Sequence, residues 1–131
     1  MSYQKYELLS LNMLAETEEH FEERAKGLAT EIKTLNMWTV PIVVEINSNA
    51  IMDGHHRYNA AKLLGLSRIP CIAFSYLDDN VVLRSWSRDY QVTIDEVLRN
   101  IELNKKFPPK TTRHIFKPQI NEVNLPLDFL Y

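Results

Sequence analysis

"IMDGHHRYNAAKLLGL", residues 51–66, is the stretch whose reading decides the fold. Ile51 and Met52 end an apolar run and read as a strand. A helix follows, starting at Asp53 or Gly54 and stopping at Gly65, a residue suited to a left-handed C-terminal position. Between strand and helix, Asp53, Gly54, His55, His56 and Arg57 supply an acid, a backbone joint, two imidazoles and a guanidinium. A strand running into a helix aims the helix N-terminus at whatever lies beyond the strand end. Its free N–H groups and dipole make that an anion site. Arg57 adds a bidentate fork for phosphate or carboxylate. His55 and His56 add donors that titrate near neutral pH, and Gly54 lets backbone approach closely. A carboxylate beside phosphate repels it unless a cation lies between, and Mg²⁺ is commonly held by one or two carboxylates plus phosphates. The cluster therefore reads as a nucleotide–Mg²⁺ site, with Asp53 on the metal and residues 54–57 on the nucleotide.

Taken singly, Asp53 as a helix cap and Arg57 as a surface ion pair are the simpler accounts; five such residues side by side favour a site. Zinc fits less well. Adjacent histidines on a helix point about 100° apart, and the chain has no HxxxH or CxxC pair.

Working outward, "VPIVVEI" (residues 40–46) reads as a buried strand, with "AIM" (50–52) as its hairpin return. Upstream, "YELLSL" (6–11) reads as a short strand. Phe21, Ala25, Leu28, Ile32 and Leu35 recur at spacings of four, three, four and three, which predicts an amphipathic helix. Thr17 is the expected N-cap, with Glu18 and Glu19 in the first turn where the dipole favours acids. Downstream, "IPCIAFSYL" (69–77) reads as a strand, and "VVLRSW" (81–86) as a strand expected to pair with it. Thr93 and Glu96 fit a capping box on a helix carrying Ile94, Val97, Leu98 and Ile101. "FPPKTTRHIF" (107–116) is barred from regular helix by its two prolines and is expected to be irregular. "EVNLPLDFLY" looks extended and apolar enough to dock on the body. The order, β-α-β-β-α-β-β-α-tail, is that of a small α+β domain.

The 131 residues suit one domain, 1–131. Cys71 is the only cysteine, which fits a reducing compartment. "MSYQKYELLSLN" lacks a signal-peptide pattern, and no apolar run nears the roughly 20 residues that span a bilayer. The expectation is a cytoplasmic chain with no membrane partner. A net charge of −2, from 15 basic and 17 acidic residues, argues against duplex DNA as partner. With only three glycines there is no GxxxxGK cradle.

Three further stretches carry chemistry. In "PPKTTRH", Lys110, Thr111, Thr112, Arg113 and His114 present consecutive donors, denser than an ordinary basic loop. They suit a second anion, such as a substrate carboxylate. In "AETEEH" (15–20) the acids are simply accounted for as dipole compensation. Trp86, at a strand end, is most simply a core aromatic.

The segment 40–72 resembles the ParB/sulfiredoxin superfamily, in which a strand–turn–helix motif ending in arginine binds nucleotide phosphates. Within that superfamily "DGHHR" is similar to the free serine kinase branch, which also carries acids after the first strand, an "SW" strand end and a "PPKTTRH" segment. Here these are Glu16 to Glu19, "RSW" at 84–86 and "PPKTTRHIF" from Pro108. Two departures stand out. A single helix, about 94–105, fills the place where family members carry extra structure. Sulfiredoxin itself needs a cysteine where His55 stands.

The resemblance implies a mixed-sheet fold with a nucleotide-binding strand–turn–helix. It implies phosphoryl transfer from ATP or ADP, with Mg²⁺, to the hydroxyl of free L-serine. It places nucleotide and metal at Asp53, Gly54, His55, His56 and Arg57. It places the amino acid near Glu19, Trp86, Lys110, Thr111, Thr112, Arg113 and His114. Catalytic roles fall to Glu18, Asp53 and His56. Arg113 is a good partner for a carboxylate, and a serine hydroxyl needs a base, for which Glu18 comes first and Glu19 second. The alternative is a nucleotide-binding ParB-like regulatory or DNA-associated module without kinase activity.

Overall fold

The structure, a computed structural model, describes residues 4–131. A mixed four-stranded sheet forms its centre, in the order β1 (Glu7–Ser10), β5 (Arg68–Phe74), β3 (Ile42–Glu45), β4 (Ile51–Asp53). β1 runs antiparallel to β5, β5 parallel to β3, and β3 antiparallel to β4. The parallel pair demands a crossover, and the β4 hairpin strand plus α2 (His55–Leu64) supplies it. β3 and β5 are central because their residues are β-branched and apolar: Ile42, Val43, Val44 and Ile69 are buried.

α2 packs against α1 (Glu22–Leu35). Small residues make the approach close, since Ala25, Ala60 and Ala61 have no exposed surface. β2 (Met37–Trp38) pairs with β8 (Leu125–Pro126), a short pairing that the sequence reading did not include. The tail docks as expected: Leu127 and Leu130 join Trp38, Ile42 and Ile69 in the main core. Thr93 and Glu96 form their capping box at the start of α3 (Ile94–Glu102). Gly65 ends α2 in the left-handed conformation, φ +76°.

Three expectations are corrected. First, α1 begins at Glu22 with Phe21 as N-cap, not at Thr17. Residues 15–19 are instead an extended strap, bridged to Ala50 through Ala15 and to Phe107 through Glu18. The Thr17 hydroxyl donates to the Ile51 carbonyl, so it caps nothing. The buried face of α1 is accordingly Ala25 and Ala29, while Leu35 is 64% exposed and Phe21 47%. Second, β6 (Val81–Ser85) does not pair with β5, because β1 and β3 already occupy both edges of β5. Third, residues 112–116 are not irregular. They form β7 (Thr112–Phe116), which pairs with β6 as a separate antiparallel ribbon. Among the described residues no helix is long and apolar enough to cross a membrane.

Candidate functional site

The β4–α2 junction is the floor of an open cavity of about 300 Å³. Gly54 makes the junction possible. Its φ is +110°, and a Cβ there would lie 3.1 Å from Ile42 Cγ1, so a side chain meets both strain and a buried wall. Asp53 stands at the mouth with its carboxylate more than half exposed. Arg57 is committed to the protein on three sides. Nη1 donates to the carbonyls of Val40 and Pro41, both at 3.0 Å, and Nη2 faces Asp53 Oδ2 at 3.3 Å. Burial lowers the guanidinium pKa and Asp53 opposes the shift. The residue lines the cavity and also pins α2 to the β2–β3 link.

The strap 15–19 forms the second wall. Glu16 anchors it: Asn59 Nδ2 donates to its Oε1 at 2.8 Å, and Lys106 and Lys62 face Oε2 at 3.0 and 3.7 Å. Burial alone would raise the Glu16 pKa, but these partners together hold it below the ordinary carboxylate range. Glu18 is different. It is only 8% exposed, and its Oε1 accepts the Thr112 amide N–H and hydroxyl, each at 2.5 Å. Burial pushes its pKa up, and the Thr112 hydroxyl with the amides of residues 110–112 only partly offsets that. Lys110 adopts φ +58°, and this turn brings its amide and those of the next two residues around the carboxylate. Glu19 is exposed and also lines the cavity.

The ring atoms of His55 and His56 face the strap. His55 Nε2 accepts the N–H groups of Thr17 and Glu18 at 3.0 and 3.2 Å. His56 Nε2 accepts that of Phe21 at 3.0 Å. Burial depresses the His55 pKa to about 4, against an opposing pull from Glu16. His56 is also lowered, by burial and then by Arg24, His20 and Lys110.

The β6–β7 ribbon makes the third wall. Trp86 is not a core aromatic: it is 55% exposed, with the Arg113 guanidinium 4.9 Å from its ring centroid. Lys110, Thr112, Arg113 and His114 line the cavity. Thr111 does not; its hydroxyl donates to the Pro108 carbonyl at 2.8 Å. His114 Nε2 lies 2.7 Å from the Tyr76 hydroxyl, and Nδ1 is buried without a hydrogen-bond partner among the described residues. Burial brings the His114 pKa down to about 4, opposed by the Met52 backbone. Cys71 lies in the sheet, its thiol pushed up to about 12 by burial and then by Glu7, away from the cavity.

Sequence reasoning missed Arg24, Leu28 and Met52, which also line the cavity. Arg24 is in no salt bridge among the described residues. Nothing local marks it, because it reaches the site only through the packing of α1 on α2. A separate crevice of about 200 Å³, sharing Leu28 and Arg57 with the cavity, lies between Ile32, Leu35, Met37 and Val40.

No family model matches the chain. Its sequence is 32% identical over 99 residues to an ATP-dependent L-serine kinase of Staphylothermus marinus, covering 72% of this chain and 39% of that protein. It is 36% identical over 83 residues to an ATP-dependent L-serine kinase of Desulfurococcus mucosus, covering 60% and 32%. A ParB-like protein of Sulfolobus acidocaldarius shares 50% over 48 residues, covering 37% of this chain and 24% of that protein. The chain thus spans well under half the length of the curated relatives it matches. Among solved structures, a free serine kinase in complex with AMP superposes with a TM-score of 0.91 at 13% identity, over 99% of this chain and 95% of that one. C-terminally truncated SbnI from Staphylococcus aureus superposes at 0.82 with 12% identity, over 94% and 88%. By sequence relationship and by fold, the chain is similar to the free serine kinase branch of the ParB/sulfiredoxin-like superfamily.

Proposed function

We propose that this protein transfers a phosphoryl group from ATP or ADP to the hydroxyl of free L-serine, giving O-phospho-L-serine. The observation that carries the reading is Glu18. A buried carboxylate of raised pKa sits in a cavity that also holds a helix N-terminus and an arginine–tryptophan pair. A base poised in that way suits proton abstraction from an alcohol.

In this reading the phosphates lie on the first N–H groups of α2, where the dipole favours anions. Arg24 and Lys110 supply the cations that Arg57, committed to carbonyls, does not. The nucleoside enters the apolar crevice past Leu28. Arg113, stacked on Trp86, takes the serine carboxylate. The serine hydroxyl then faces Glu18. Its oxygen attacks the terminal phosphorus, the bond to the bridging oxygen breaks, and the hydroxyl proton passes to Glu18. ATP leaves as ADP, or ADP as AMP. Such catalysis is mostly positioning and charge neutralisation.

The residues fit Mg²⁺ held in part by its substrate. Among the described residues no group of three His, Cys, Asp or Glu side chains is placed to hold a metal. Asp53 offers one exposed carboxylate at the mouth, which suits an ion that takes its other ligands from phosphate and water. When bound, the ion supplies charge to the phosphate oxygens. Residues 1–131 act here as one catalytic domain in the cytoplasm.

The test is to incubate the purified protein with Mg²⁺, separately with ATP and with ADP, and with a panel of amino acids. ³¹P NMR and mass spectrometry then look for product. O-phosphoserine is expected from serine alone or with close hydroxy-amino acids. Nucleotide binding without any phosphorylated product would overturn the kinase reading in favour of a binding module.

A further inference from the structure

In the sequence, His55 and His56 read as donors to a phosphate. The structure gives their Nε2 atoms another task. His55, the first residue of α2, is 8% exposed. Its Nε2 lies 3.0 Å from the Thr17 amide nitrogen, 3.2 Å from that of Glu18 and 3.2 Å from the Thr17 hydroxyl. Backbone N–H groups only donate, so this nitrogen carries no proton, and the ring is the neutral form protonated on Nδ1. The Thr17 hydroxyl is free to donate to the Ile51 carbonyl, also at 3.2 Å. His56 repeats the arrangement one residue on. Its Nε2 accepts the Phe21 N–H, and its ring stacks on Phe21 with centroids 5.9 Å apart.

Adjacent helical residues point about 100° apart. The two rings therefore reach different points of the chain between the strap and α1 as it passes the start of α2. One grips residues 17 and 18, and the other grips residue 21, the N-cap of α1. Burial holds His55 neutral well below physiological pH, so the acceptor is present under working conditions.

We propose that His55 and His56 are positioning residues. Their Nε2 atoms clamp residues 17–21, the end of the strap and its link to α1, on the start of α2 and so fix Glu18 against the phosphate end of the cavity. The catalytic consequence rests on the reading of Glu18 as the base; the clamp itself does not. It also ties the two halves of the site together, because the helix that offers N–H groups to phosphate holds the carboxylate that meets the serine proton.

Two variants separate this from phosphate binding. His55→Leu keeps bulk and removes the acceptor; His55→Gln places an amide oxygen within reach of the two N–H groups. Three quantities are read: ATP affinity by calorimetry, kcat for O-phosphoserine, and amide hydrogen exchange at Thr17 and Glu18. For His55→Leu we expect exchange at both amides to speed at least about tenfold, since two hydrogen bonds near 1 kcal/mol each are lost. kcat should fall roughly 10²-fold, the effect of a small misplacement of a reacting group. ATP affinity should stay within about threefold, less than the loss of one charge-assisted bond. His55→Gln should recover both protection and turnover.

ATP binding weakened more than about tenfold, with unchanged exchange at Thr17 and Glu18, would make His55 a phosphate ligand and overturn the proposal. If His55→Leu does not fold, His55→Gln decides alone. Protected amides with intact ATP binding support the clamp, and protected amides with weakened ATP binding refute it. Lost protection with unchanged turnover supports the clamp and refutes Glu18 as the base.

Discussion

Glu18→Gln tests the centre of the mechanism with little disturbance to the fold. A glutamine keeps the shape of the side chain. Its amide oxygen can take the place of Oε1 and go on accepting the Thr112 N–H and hydroxyl. What disappears is the ability to take a proton. A positioned general base contributes about 10²–10⁴ in rate, equivalent to about 3–5 kcal/mol of barrier. kcat should fall by that factor. The ionised carboxylate is disfavoured by burial, so its neutral replacement should leave the melting temperature unchanged or slightly higher. ATP should bind as before, because the phosphate end of the cavity is untouched. The assay is the initial rate of O-phosphoserine formation by ³¹P NMR at saturating ATP and serine, beside calorimetric ATP titration and a thermal melt. Turnover within about threefold of the parent refutes the reasoning, since that is far below any general-base contribution. If Glu19→Gln proves silent instead, the exposed neighbour is the base, and the tight bonding of Glu18 to Thr112 is structural.

Arg113→Ala should raise KM for serine about 10–150-fold through loss of a charge-assisted hydrogen bond, with KM for nucleotide nearly constant; an equal rise in both would place Arg113 on phosphate. Gly54→Ala forces a Cβ to within 3.1 Å of Ile42 Cγ1 and 3.3 Å of Arg57 Nη2 at φ +110°. It should cost about 1–3 kcal/mol, read from chemical denaturation, and a variant as stable as the parent would contradict the strain argument. His55 and His114 both have pKa values depressed from 6.5 to about 4. The folded state therefore binds fewer protons than the unfolded one between those values. The stability they contribute is present above pH 6.5 and lost as pH falls toward 4, roughly 3 kcal/mol for each, which denaturation at pH 7 and pH 4 would show. The acid limb of kcat/KM should lie above the ordinary glutamate range, because the base must be ionised and burial raises its pKa.

The fold was legible where the signal is local. A buried β-branched run, a glycine before a helix, a glycine after it and a threonine–glutamate capping pair each act within a few residues, and each stands where the sequence places it. The errors lie where pairing partners compete. "VVLRSW" has the composition of a strand, but composition does not say that β1 will fill the open edge of β5 and leave β6 to pair with β7. Thr17 looked like a helix cap because threonine followed by acids is a good cap. It lost that role to Ala50 and Phe107, which draw the strap out as extended backbone. A hydrogen bond to a residue 34 positions away in sequence, Ile51, outweighed the local one.

The site divides along the same line. Which residue types gather at the cavity was readable, because "DGHHR" and "PPKTTRH" are dense in groups that an ordinary turn or loop does not need. Their division of labour was not, because chemistry alone allows each group several partners. Arg57 has the fork for a phosphate, yet its Nη1 donates to two backbone carbonyls. Histidine has two nitrogens, and burial beside amide N–H groups turns one of them into an acceptor. Glu18 becomes a plausible base only because it is not in a helix. Had α1 begun at Thr17, its carboxylate would point to solvent and compensate a dipole. The strap gives it burial, the loop after Phe107 wraps its carboxylate, and His55 accepts its backbone N–H. In the proposed reading the backbone N–H groups of the motif face the anion while His55, His56 and Arg57 bond to the protein, a division that emerges only once residues 38 positions apart have met.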